Sequence, residues 1–375
     1  MSNRVFSAPG RVEIGGNHTD HQHGKVLTAA VDLKIWCLAT PNGTNMVNIK
    51  NTQYPSFSVD LNDLNIYENE KETSAALVRG VAAWFKAQGH AIGGFDANIS
   101  SNIPVGAGLS SSAAYEVLIG NVFKGLFGGS ATPLEIALAG QYAENHFFGK
   151  PCGLMDQAAS SFGGLNLIDF SDPQNPTVTP IQSGFQDYMM CIIETGASHV
   201  DLTPKYAAIP NEMLIVASHF GKEYLQEVDP DHFYAQIGGL RNAGLSDRAI
   251  LRAIHFFEEN KRVEKQATAL QQRNMRTFLD LVNTSGRSSL AYLQNVFTPA
   301  DTYRQDLTIA LAMSEKKLAG KGAWRIHGGG FAGTILAFVP GKKRAEYETW
   351  MSSVFGADSC HFLNVCAAGG GEVSN

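Results

Sequence analysis

Apolar and polar positions divide the chain into regular elements before any residue is given a role. Val26 to Val31 reads as a strand, and Ile35–Thr40, Met46–Asn51 and Phe57–Leu61 alternate like strands of an antiparallel sheet. Ser74–Gln88 follows as a helix, and Phe95–Ile103 alternates again as a strand. Ala113–Phe127 is apolar nearly all round, as a buried helix should be. Thr132, Pro133 and Glu135 form a capping box that opens a helix to about Phe147. Leu165–Phe170 and Tyr188–Glu194 are strand-like, and the Pro/Asn/Asp-rich stretch from Ser171 to Pro180 between them loosens the chain. That places a domain boundary near Asp187, giving an N-terminal domain of residues 1–187 and a C-terminal domain of 188–375.

In the second half the spacing predicts helices near Asn211–Val228, Ser246–Gln271, Met275–Asn283 and Ser288–Val296, with another over about Asp301–Leu318. Ala323–Val339 reads as strand, glycine turn, strand. A helix near Lys342–Phe355 and a strand at His361–Val365 complete an α+β module. At 375 residues the chain has room for two substantial cores. A net charge of −6 gives no footing for nucleic acid or an acidic membrane surface. The opening Met1 to Phe6 carries no signal-peptide core, and no apolar run reaches bilayer length. Five scattered cysteines without Cys-x-x-Cys spacing suit reduced thiols, so the expected location is cytoplasmic.

Candidate chemistry concentrates in a few polar segments. Between the strand ending at Ile103 and the helix from Ala113 lies Pro104-Val-Gly-Ala-Gly-Leu-Ser-Ser-Ser-Ala-Ala114. Its glycines let backbone N–H groups converge, and the helix start adds unpaired donors and positive partial charge. Such a bend binds an anion, phosphate above all; the alternative is a Gly/Ser-rich turn with an ordinary cap. It lacks the lysine of a Walker-type loop.

Upstream, Arg11, Asn17, His18, Thr19, Asp20, His21 and His23 crowd one loop, suited to a polyhydroxylated ligand. A solvated turn or a three-histidine metal site are the alternatives, and His21 and His23 are expected at the surface. Glu144 sits near a helix end that disfavours a carboxylate without a cation. Asp156 lies among small and apolar residues, so it must be paired or placed to take a proton. Gly328 to Gly330 is either a hairpin turn or a close approach of backbone to a ligand.

Three of these segments, in this order, resemble the motifs of the GHMP small-molecule kinases, and among these the galactose-phosphorylating branch. They are Gly10-Arg-Val-Glu-Ile-Gly-Gly-Asn-His-Thr-Asp20, Pro104–Ala114, and Gly328-Gly-Gly-Phe-Ala-Gly333. Gly153-Leu-Met-Asp-Gln157 and His255–Val263 add to the likeness, which runs nearly end to end. It implies an α/β two-domain GHMP-kinase-like fold, with a mixed α/β N-terminal domain, an α+β C-terminal domain and the active site in the cleft between them.

The same resemblance implies transfer of the ATP γ-phosphate to the anomeric hydroxyl of galactose, with Mg²⁺, by a monomer or weak dimer. Gly106, Ala107, Gly108, Leu109, Ser110, Ser111 and Ser112 would wrap the nucleotide phosphates, and Ser112 and Glu144 would hold the metal. Asp156 matches the proton acceptor and Arg11 the charge-stabilising residue. Asn17, His18, Thr19, Asp20, Gly153 and Tyr206 match sugar contacts. Departures from the pattern are Asn17 in place of Glu, His21 in place of Tyr, Ala332 in place of Gly, and Ala-Ala-Ile-Pro after Tyr206. They bear on the sugar rather than on phosphate transfer. A kinase of another sugar, such as N-acetylgalactosamine or arabinose, and a non-catalytic sugar and ATP sensor are the alternatives.

Overall fold

A computed structural model describes residues 3–52, 55–104, 106–182, 184–196, 202–298 and 303–373. Val105 of the glycine–serine bend, and the Asp301 start expected for one helix, lie outside the described residues. Strand β1 (Arg4–Gly15) pairs antiparallel with the long β2 (Lys25–Pro41). Pro9-Gly10, which looks like a break in the sequence, is a register shift inside β1: Pro9 faces Lys34 but Arg11 faces Ala30. A bulge here re-aims the side chain that follows it, which is Arg11. Val26–Val31 and Ile35–Thr40 are likewise parts of one strand.

β3 (Met46–Asn51) and β4 (Phe57–Asp60) form a hairpin, and helix α1 (Ser74–Ala87) crosses to β5 (Phe95–Ser101). The crossover lays β5 parallel to β3, while β5 pairs antiparallel with β2, so the sheet is mixed rather than wholly antiparallel. Helices α2 (Ser111–Phe127) and α4 (Met155–Phe162) pack on it, and α3 (Pro133–Tyr142) packs on these two helices. β6 (Leu165–Asp169) and β7 (Thr177–Pro180) join at β2, so part of the stretch that looked loose is a strand.

A second sheet contains β8 (Tyr188–Glu194), β9 (Ala323–His327), β10 (Thr334–Pro340) and β11 (Cys360–Leu363), in the order β11-β8-β10-β9. Between β8 and β9 come α5 (Thr203–His219), α6 (Pro230–Ala235), α7 (Ile237–Asn242), α8 (Asp247–Gln271), α9 (Met275–Ser288) and α10 (Asp306–Leu318). α11 (Arg344–Phe355) precedes β11. β12 (Gly371–Glu372) returns to pair with β1, so the last described residues belong to the first sheet.

Helix α5 begins before Pro210 and runs through it, although the proline removes the N–H that would bond the Tyr206 carbonyl. It stops at His219, short of the expected Val228, because Gly221 turns left-handed (φ +67°). The helix expected over Ser288–Val296 is a single π turn, Ser289–Leu293, continuing α9 and ended by Gln294 at φ +58°.

Phe85, Phe95 and Phe123 are fully buried between the helices and the first sheet, with ring centroids 5.4 and 6.0 Å apart. Each such side chain contributes about 1.5–3 kcal/mol of burial. The same apolar interior runs on through Val263, Phe278 and Phe338, so the two sheets are backed by one continuous core.

Candidate active site

The glycine–serine bend is anchored from below. Ala107 and Leu109 are buried, while Gly106, Gly108 and Ser111 face outward. Gly106 and Gly108 both have positive φ, and a Cβ on Gly108 would lie 2.7 Å from Thr334 Oγ1. Only glycine lets the bend lie this close to β10. Ser110, at φ +53°, occupies the N-cap position of α2 without capping it. Its hydroxyl donates to Asp156 Oδ2 instead, which leaves the first-turn N–H groups of α2 open to an anion. A non-glycine residue held at positive φ marks a conformation that its surroundings enforce.

Beside that hydroxyl Arg11 meets Asp156. Nε lies 2.7 Å from Oδ1 and Nη2 lies 2.8 Å from Oδ2, the parallel two-pronged geometry of a strong pair. Arg11 Nη1 also donates to the Gly108 carbonyl at 2.7 Å, and the Arg11 backbone N–H to Leu109 O at 3.1 Å. Strand β1, the bend and the first turn of α4 therefore meet at one point. Burial pushes the Asp156 carboxyl up, but Arg11 and the Ser110 hydroxyl outweigh it and hold the group below its ordinary range.

Glu144 lies in a π turn, Ala143–Phe148, that continues α3 where a straight helix was expected. The cation its position calls for is Lys150, 3.7 Å from Glu144 Oε1 and mostly exposed. Oε1 also lies 3.4 Å from the Ser112 hydroxyl. Burial, first of all, raises the Glu144 carboxyl. A hydroxyl and a buried carboxylate facing each other at the start of α2, with a single loose cation nearby, are hard oxygen donors that suit Mg²⁺.

Around Asp20 the residues of the polar loop separate into two groups. Asp20 accepts from the Met155 backbone, and a Cβ on Gly153 would lie 1.8 Å from Asp20 Oδ2, so glycine is what admits this carboxylate. Burial, then the charges of Asp156 and Glu13, push Asp20 up to about 7. His18 lies against His21 and the Gly329 carbonyl, with Nε2 3.0 Å from the latter, and burial pushes it down to about 4.

Asn17 and Thr19 turn inward. The Asn17 amide donates to Glu13 and to Gly328 O at 2.8 Å and accepts from Asn295 at 2.9 Å, so no hydrogen-bonding group is left for a ligand. Thr19 Oγ1, fully buried, closes the loop against the Gly16 and Lys25 carbonyls. Tyr206 donates to Gly330 O at 2.9 Å and lies over Gly329, where a Cβ would be 2.7 Å from its ring. The histidines do not converge: His21 is half-buried against His18, and His23 stacks on Tyr224. Neither is the surface residue expected. Among the described residues no group of three or more His, Cys, Asp or Glu is placed to hold a metal.

Residues 76–164 match the GHMP kinases N terminal domain, and residues 2–41 match the galactokinase galactose-binding signature. Over these two stretches the chain is similar to the GHMP kinases and, within them, to the galactokinases. The chain is 29% identical over 356 residues to a galactokinase from Glaesserella parasuis, spanning 91% of this chain and 86% of that protein. The crystal structure of Lactococcus lactis galactokinase complexed with galactose superposes with a TM-score of 0.84 at 25% identity, covering 99% of this chain and 95% of that one. Methanococcus jannaschii mevalonate kinase shares the fold at a TM-score of 0.68 and 17% identity, covering 97% and 98%.

Several residues of the site carry no sequence signal of their own. Arg325, fully buried, donates to Glu13 Oε1 at 2.6 Å and to Ile14 O at 2.8 Å. His327 Nε2 accepts from the Glu13 N–H, and burial holds its ring neutral. Asn295 bridges Asn17 and Gly329 O. Each sits in an ordinary strand or turn and matters through partners about 280 to 315 residues away. Glu13, the partner of Arg325 and His327, by contrast lies inside a segment the family likeness had marked.

Proposed function

We propose that this chain is a galactokinase that transfers the γ-phosphate of ATP to the anomeric hydroxyl of galactose. The observation that carries this reading is the Arg11–Asp156 pair at the end of the bend, joined by Ser110. The residue range matching the galactose-binding signature, 2–41, includes Arg11 and the whole sugar loop.

In this reading the N–H groups of Gly106 to Ser112 hold the nucleotide phosphates. Ser112 and Glu144 would hold Mg²⁺, which when bound neutralises charge on the transferring phosphate. Asp20, His18 and Gly153 line the sugar, Tyr206 closes its far side, and Asn17 and Thr19 act by shaping the loop. Asp156, kept ionised by Arg11, accepts a hydrogen bond from the anomeric hydroxyl and fixes its direction of attack. It receives the proton late, because a carboxylate with a lowered pKa is a weak base. Phosphoryl transfer tolerates this, since alignment and charge neutralisation supply most of the acceleration. Arg11 answers charge at the same point.

The two domains would meet near residue 187, and the expected setting is a cytoplasmic monomer or weak dimer. Among the described residues no helix is long and apolar enough to cross a membrane. A coupled ADP-release assay with galactose, its C4 epimer and its N-acetyl derivative tests the reading. Preferred turnover of galactose supports it; ATP and sugar binding without ADP release would replace it with a sensor. A related sugar as true substrate is the second reading, favoured by the inward-facing Asn17.

A further inference from the structure

Glu116 has no solvent exposure, sits in the second turn of α2, and takes no part in the chemistry above. A carboxylate in such a place needs a partner. Its Oε2 accepts from Gln157 Nε2 at 2.9 Å, and the same nitrogen donates to Glu144 Oε2 at 2.9 Å. A glutamine amide has two N–H groups, enough for one to each carboxylate, and the Cys152 sulfur at 3.7 Å is the longer, weaker third acceptor. Gln157 is itself fully buried. With Oε2 held, Glu144 turns Oε1 toward the Ser112 hydroxyl. Gly140 brings α3 against the arrangement: a Cβ there would lie 3.0 Å from Glu116 Oε2 and 3.0 Å from Gln157 Cγ.

Gln157 also follows Asp156 directly on the first turn of α4. One helical turn thus carries the carboxylate aimed at the acceptor hydroxyl and the amide that holds the carboxylate aimed at the metal. We propose that Gln157 is a positioning residue that fixes the Glu144 carboxylate for Mg²⁺, and that Glu116 is the buried anchor that fixes Gln157. This rests on the reading of Glu144 as a metal ligand. Outer partners of metal ligands act in this way, by limiting the ligand to one rotamer and one free oxygen.

The test is calorimetric titration of the full chain with ATP, without sugar, in the presence and absence of Mg²⁺. The quantity read is the ratio of the two ATP affinities. Gln157→Leu is expected to lower that ratio by about 10-fold or more while ATP affinity without metal stays at the parental value. Glu116→Leu is expected to lower it in the same direction. Glu116→Gln keeps an acceptor oxygen for Gln157 and should preserve it, which a purely electrostatic role for Glu116 would not. Should Gln157→Leu not fold, the Glu116 pair carries the measurement. Glu144→Ala separates the failures: loss of the ratio there but not in Gln157→Leu or Glu116→Leu overturns the clamp alone. A parental ratio in Glu144→Ala overturns the metal reading itself.

Discussion

Arg11 and Asp156 stand 145 residues apart in sequence and meet through two parallel contacts, 2.7 and 2.8 Å long. The pair sets the character of the site. A carboxylate alone among the small residues of α4 would be raised by burial toward neutrality, but this one is held ionised. It is thereby always ready to accept a hydrogen bond and never strongly basic.

Asp156→Asn therefore keeps shape and one acceptor but loses charge and proton affinity. Turnover is expected to fall by at least ~10²-fold, the lower range for a proton-transferring group, with ATP affinity little changed. Steady-state kinetics beside a thermal melt checks this. Near-parental turnover would remove Asp156 from the reaction.

Asp20 gives the enzyme a pH dependence of its own. Its carboxyl is raised to about 7 in the folded chain, against an ordinary 3.8. A raised acid adds stability that is complete below its unfolded pKa and is lost as pH rises through the folded one. Folding stability should thus decline between about pH 4 and pH 7, and Asp20→Asn should flatten that decline. In the proposed role of sugar contact Asp20 would accept best when ionised, so the KM for sugar should rise as pH falls below about 7 while the KM for ATP does not. A KM for sugar that is flat across this range removes Asp20 from sugar binding.

Much of this arrangement was legible in the sequence because it is local. The bend, its helix, the polar loop and the acid at 156 are each contiguous runs whose composition states their chemistry. The strand count of the first sheet was partly legible, since alternation marks strands but not their neighbours. The parallel β3–β5 pairing depends on a helix crossover, and the continuity of β1 depends on a bulge that looks like a break. The inward turn of Asn17 could not be read. It is imposed by Glu13, Gly328 and Asn295, the last two more than 275 positions away, and a short polar side chain suits ligand and core equally well. The same holds for Glu116, whose place on an apolar helix looks like an error until Gln157 is beside it.

Gly153 tests how tightly the loop carrying Asp20 is held. Gly153→Ala would set a Cβ 1.8 Å from Asp20 Oδ2, so the carboxylate must move. Overpacking of this kind costs about 1–3 kcal/mol. The expected outcome is a raised KM for sugar, with the KM for ATP near the parental value, since the phosphate bend is untouched. Equal changes in both constants would point to general damage instead.

Arg325 and Glu13 tie the two sheets together beneath the site, both almost without exposure. Burial raises the Glu13 carboxyl, and Arg325 is the foremost charge opposing that rise, with Arg11 next. Arg325→Met leaves Glu13 as a buried charge without its main partner, a loss expected to cost about 3–5 kcal/mol. The sign of its pH dependence follows. With the guanidinium gone, the folded pKa of Glu13 climbs further above its unfolded value. The variant then regains stability when Glu13 is protonated and loses it as pH rises through that higher pKa. Denaturant unfolding should show a deficit that is larger at about pH 8 than at about pH 5. Adding Glu13→Gln to Arg325→Met should remove that pH dependence, because no buried charge remains to be neutralised. A deficit of the same size at both pH values would mean that Arg325 stabilises the sheets by packing rather than by charge.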